Sequence, residues 1–99
     1  MTPRIRVREL MRTYDAELMC FVREIDVCLK TGIGVLITYA DSGPDMAACI
    51  DRFEKMSPGI AQIVVINWSD GKPVPDMCYR RIDGVWHAFE YTRKRFQTH

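Results

Sequence analysis

Asp41 and Ser42 follow the apolar run 33–40, and Asn67 and Asp70 stand at and just beyond the end of the run 60–67. If both runs are parallel strands, these residues lie at their carboxyl ends, where open α/β sheets bind ligands. The amides at the start of a following helix would offer an anion site, and two carboxylates there suit Mg²⁺. This defines one alternative, a small α/β enzyme or nucleotide or anion binder using Asp41, Ser42, Asn67 and Asp70. Against it, Asp, Ser and Asn are ordinary cap and turn residues, and no phosphate-loop or dinucleotide glycine pattern accompanies them.

Cys78 and His87 are the other pair with nucleophilic potential. A two-residue turn at Asp83-Gly84 pairs Arg80 with His87 and makes Cys78 and His87 diagonal neighbours on one face. Diagonal side chains are about 7 to 8 Å apart, too far for a ready thiolate–imidazole pair. The same turn sets Trp86 opposite Arg81, a pairing suited to a cation–π contact. Trp and Arg dominate interface energetics, so Arg81 and Trp86 are the leading contact residues, followed by Arg93, Lys94 and Arg95.

Charge is uneven along the chain. The two ends each carry a net +3 and the middle −5, giving the +1 of the whole. Arg4, Arg6 and Arg8 at one end, and Arg93, Lys94 and Arg95 beside Tyr91 and Phe96 at the other, combine cations with aromatics as nucleic-acid surfaces do. Arginines on an edge strand also block edge-to-edge aggregation, and no known nucleic-acid-binding signature accompanies them. The basic ends suit an acidic protein equally well.

Cys20, Cys28, Cys49 and Cys78 contain no C-x-x-C pair, which removes the common structural-zinc and redox motifs. There are two histidines, one of them the last residue. Neither a metal nor a cofactor is expected, and catalysis has no supporting motif. The reading that remains is a small intracellular protein-binding module without catalysis: an inhibitor, adaptor or accessory subunit, such as phages and mobile elements encode. Its candidate partners are another protein, acidic by preference, a second copy of the chain, or a nucleic acid held by the basic termini.

With 99 residues, 47% hydrophobic and 27% charged, the chain reads as one globular domain, residues 1–99. No apolar run approaches the ~18 residues of a membrane span, and the start lacks a signal-peptide core, so a cytoplasmic location is expected. Ile5 and Val7 alternate with arginines as in a half-exposed strand. From Thr13 to Lys30, Tyr14, Leu18, Phe21, Val22, Ile25, Cys28 and Leu29 fall on a helical stripe, with Cys20 and Val27 opposite and Gly32 as the stop.

Runs 33–40 and 60–67 are apolar without alternation, as in strands covered on both faces. Between them a helix ending near Met56 starts from an Asp41 or Ser42 N-cap, with Pro44 near its first position. Strand, helix and strand make a right-handed parallel unit. Residues 69–76 read as a loop, and 77–82 and 85–92 as a hairpin. The expected fold is α/β, with α+β as the alternative: two helices on a small mixed sheet, in the order (β)αβαβββ, with a parallel βαβ unit and a C-terminal β-hairpin.

Overall fold

The computed structural model describes residues 6–39 and 43–91, with side chains from residue 13 onward. Its elements are β1 (Arg6–Asp15), β2 (Cys20–Cys28), β3 (Ile33–Tyr39), α1 (Met46–Met56), β4 (Gln62–Ser69), β5 (Lys72–Ile82) and β6 (Val85–Glu90). The strands form one six-stranded sheet in sequence order, β1-β2-β3-β4-β5-β6. All neighbours are antiparallel except β3 and β4, which run parallel through α1. The parallel βαβ unit and the hairpin about Asp83-Gly84 follow the expectation.

The expectation of two helices fails at residues 13–30, which form the end of β1, a tight turn and β2 rather than a helix. In β2 the hydrophobic residues that bury are Cys20, Val22, Ile25 and Val27, and Asp26 on the other face is buried as well. The hydrophobic ones alternate in twos except for one step of three, because the register against β3 slips between Val22 and Glu24. A bulge adds one residue and resets the in-out parity. A strand with a bulge therefore imitates the three-residue spacing of a helix, while its β-branched Val22, Ile25 and Val27 favour the strand. Cys20 and Val27, placed opposite the supposed helical stripe, belong to the same core face as Val22 and Ile25.

Asp15 closes the β1–β2 turn. Its Oδ1 accepts from the amides of Glu17 and Leu18, both at 3.0 Å, and its carbonyl accepts from the Met19 amide at 2.7 Å. Met19 adopts φ 60°, which such a turn requires. The turn is anchored to the helix by Arg52, whose guanidinium donates to Asp15 Oδ2 at 2.9 Å and Glu17 Oε1 at 2.8 Å.

α1 starts later than expected. Its N-cap is Asp45, not Asp41 or Ser42, and the Asp45 carboxylate accepts from the Ala48 amide. Cys49 and Phe53 of α1 are buried on the sheet against a core that includes Leu18, Cys20, Val22, Ile25, Val27, Leu36, Ile60, Ile63, Val65 and Tyr79. The close approach rests on Gly34 of β3: a Cβ there would stand 2.6 and 2.7 Å from two ring carbons of Phe53. Glycine is needed because the Phe53 ring occupies the space a side chain would take.

Residues 69–76 are not a loop. Asp70 and Gly71, with φ 51° and 76°, form a two-residue turn between the paired Ser69 and Lys72, and β5 begins at Lys72. Positive φ at both central residues is the turn that matches strand twist. Pro73 and Pro75 are accommodated because β6 pairs only with Met77–Ile82, leaving this half of β5 a sheet edge among the described residues. No helix of the described residues is long and apolar enough to cross a membrane.

Candidate functional site

Among the described residues a single helix covers a single face of the sheet. Residues directly paired across strands share a face, so Ile25, Leu36 and Val65 mark the helix side, and the residues between them mark the other. On that other side β3 presents Ile33, Val35, Ile37 and Tyr39, and β4 presents Gln62, Val64, Ile66 and Trp68. The strands were expected to be covered on both faces. Instead Val35, Ile37, Tyr39, Val64, Ile66 and Trp68 are half-buried and Ile33 is exposed. Among the described residues, no element lies over them.

Aromatic residues frame this strip. Tyr14 and Phe21, paired across β1 and β2, meet edge to face with centroids 5.1 Å apart, and both are more than half exposed. Arg23, the extra residue of the β2 bulge, reaches across β3 to lay its guanidinium 4.0 Å from the centroid of Trp68. Such a contact holds the ring's orientation and brings a cation to the edge of an apolar patch.

Toward β6 the face carries a depression of about 210 Å³ lined by Gln62, Cys78, Arg80, Phe89, Glu90 and Tyr91. Cys78 is its buried floor and accepts from Gln62 Nε2 at 3.4 Å. Burial, and then the neighbouring Cys78, pushes the Tyr91 hydroxyl above the ordinary tyrosine range. Burial, and then the adjacent Glu90 charge, likewise raises the Asp76 carboxyl. His87 is exposed on the same face, and Phe89 occupies the position directly opposite Cys78. The diagonal Cys78–His87 relation is thus as expected from the hairpin register, and the Cys78 sulfur meets Gln62, from which it accepts, and Tyr91 rather than His87.

Arg81 and Trp86 are paired as expected, with the Arg81 guanidinium 5.9 Å from the Trp86 ring centroid. They lie on the helix side. Trp86 packs against the core, and its indole N–H donates to Glu54 Oε2 of α1 at 3.2 Å; Arg81 stands 3.9 Å from the same oxygen. This pair therefore fastens β6 to α1, a role the sequence reading did not give it.

Of the alternative ligand site, only Asn67 and Asp70 fall among the described residues. Asn67 is paired with Thr38 on the helix side, and its Oδ1 is buried, as is the Thr38 hydroxyl, neither with a hydrogen-bond partner among the described residues. Asp70 is an exposed turn residue. Asp41 and Ser42 lie outside the described residues, as do Arg4, Arg93, Lys94 and Arg95. Arg6 and Arg8 are described in backbone only, opposite Cys28 and Asp26. No cluster of His, Cys, Asp or Glu among the described residues could hold a metal ion.

The four cysteines are free. Burial pushes the Cys49 thiol up to about 12 and raises that of Cys20 as well, so neither is a nucleophile at neutral pH. Asp15 is moved the other way. Burial acts to raise its pKa, but the Leu18 amide and the Arg52 guanidinium outweigh this and hold the carboxyl below its usual range.

Comparisons with protein-family models, with curated proteins and with solved structures found no match.

Proposed function

We propose that this chain is a small protein-binding module that acts by surface complementarity, without catalysis, through the open face of its sheet. The observation that carries the reading is the pair of adjacent strands, β3 and β4, whose outward side chains are nearly all apolar and only half-buried. A sheet buries its apolar face against another layer, and here the second layer is the partner. Aliphatic residues at the centre, aromatics around them and charges outside are the anatomy of a protein interface.

A protein fits this face better than a nucleic acid does. The centre of the strip is aliphatic, with Val35, Ile37, Val64 and Ile66 where a strand-binding surface would set aromatic rings. The surrounding charges are of both signs, with Arg23 and Arg80 balanced by Glu24 and Asp26. The four free cysteines suit a reducing compartment, in keeping with a cytoplasmic module.

The test uses the full chain as bait in extract of its native cell, beside three variants. Ile37→Asp and Ile66→Asp alter the open face, and Lys55→Ala alters an exposed position on α1. A partner held by the unaltered chain and by Lys55→Ala but lost from both Asp variants, each checked for cooperative unfolding, is the expected result. Equal retention by folded Ile37→Asp and Ile66→Asp would overturn the assignment.

A further inference from the structure

Among the described residues the sheet has two lateral edges, at β1 and β6, and a partial one along the first half of β5. Unpaired strand edges template the addition of other strands, and proteins block them with charges, prolines and bulges. Two of the three are blocked in this way. β1 carries Arg6, Arg8 and Arg12 and breaks register between Leu10 and Thr13. The free half of β5 reads Lys72-Pro73-Val74-Pro75. β6, Val85-Trp-His-Ala-Phe-Glu90, has no proline, no lysine or arginine and an unbroken register with β5. Among the described residues it has no neighbour on its other side.

Which backbone groups of β6 point outward follows from its turn. Asp83 and Gly84 both have positive φ, 53° and 80°, so Ile82 and Val85 form the hydrogen-bonded pair that closes the hairpin. Alternate pairs then face away from one another. Two contacts confirm the phase: the Arg81 amide donates to Ala61 rather than to β6, and the Tyr91 amide donates inward to Asp76. The amides and carbonyls of Trp86, Ala88 and Glu90 therefore point away from β5.

We propose that β6 is the seam of a homodimer, pairing antiparallel with β6 of a second copy about a twofold axis at Ala88. This register uses all three outward-facing residues of each copy, about six hydrogen bonds in the alternating pattern of an antiparallel ladder. Ala88 meets Ala88 of the other copy, and a small side chain suits a position where identical residues must face each other. Trp86 meets Glu90, and His87 meets Phe89. The two Glu90 residues are four positions apart along the ladder, roughly 14 Å at 3.4 Å per residue, beyond direct repulsion at physiological salt. Directly opposed residues share a face, so both open faces lie on the same side, and the dimer presents the docking surface twice.

The experiment measures mass in solution by sedimentation equilibrium, with Ala88→Pro as the disrupting variant. The Ala88 amide points away from β5, so proline removes only the outward donor, as Pro73 and Pro75 do on β5. The full chain should weigh twice its 11.5 kDa at micromolar concentration, and Ala88→Pro should weigh 11.5 kDa. A monomeric full chain up to millimolar concentration, or a dimer persisting in folded Ala88→Pro, overturns the proposal. Ala88→Cys tests the register even if the proline variant fails to fold: mild oxidation should yield a covalent dimer that the unaltered chain does not give, and its absence would refute the Ala88 axis. Because Ile37 and Ile66 lie away from this seam, failure here leaves the open-face reading intact, and the reverse also holds.

Discussion

Replacing Gly34 by alanine tests how α1 is seated. The added Cβ would stand 2.6 Å from Phe53 Cδ1, 2.7 Å from Cε1 and 2.9 Å from Ile60 Cδ1. Real contacts to a Cβ are not this short, so the ring, the helix or the strand has to move. Phe53 and Ile60 are both fully buried, which leaves the ring no free side to move into. Overpacking of this kind costs about 1 to 3 kcal/mol. Alanine regains part of that, about 0.5 to 1 kcal/mol, because glycine loses more freedom in a strand. The net loss lies within roughly 0 to 2.5 kcal/mol and centres on about 1 kcal/mol, a fall in Tm of roughly 4 to 8 °C at that centre for a domain of this size. Thermal unfolding followed by circular dichroism reads it directly. Adding Phe53→Leu should cost less in the Gly34→Ala background than in the unaltered chain, a coupling that a double-mutant cycle measures. A raised Tm for Gly34→Ala, or an unchanged Tm with no coupling to Phe53→Leu, would refute the seating of Phe53 over β3.

Other outcomes follow from the same contacts. Asp15 has a lowered pKa in the folded state, so its contribution to stability is complete above the ordinary carboxylate range and fades as pH falls through the lower folded value; Asp15→Asn should therefore lose less Tm between pH 5 and pH 2 than the unaltered chain. Trp86→Ala should destabilise by about 1 to 3 kcal/mol, below the 3 to 5 of a fully buried tryptophan, measured by urea unfolding; no change in midpoint would free Trp86 to serve as a contact residue. With its thiol pushed up to about 12, Cys49 should resist a thiol reagent at pH 8 until denaturant is added, as peptide mapping by mass spectrometry would show. Labelling of Cys49 in the folded protein at the rate of a free thiol would contradict its place under α1.

The sequence made some elements plain and disguised others, for identifiable reasons. Run 33–40 with its following helix, run 60–67 and the Asp83-Gly84 turn were legible because length, caps and turn chemistry agreed. β2 was disguised by the bulge at Arg23, which turned an alternation of two into a step of three. Lys72–Val74 was hidden by prolines that fit only because β6 stops short of them. The error at β2 carried into function: a second helix would have covered the face that no element among the described residues covers. Arg81 and Trp86 were correctly paired, but nothing local in the sequence reveals that Glu54, 32 residues away from Trp86, receives the indole N–H.

The account turns on one face of the sheet being covered by α1 and the other lying open, and solvent access to methyl groups measures this most directly. With a soluble paramagnetic agent added to methyl-labelled protein, the NMR signals of Val35, Ile37, Val64 and Ile66 should broaden strongly. Those of Ile25, Leu36, Ile63 and Val65 should remain sharp. Equal protection of both sets would mean that the chain covers its own sheet on both sides, and the proposed docking surface would not exist.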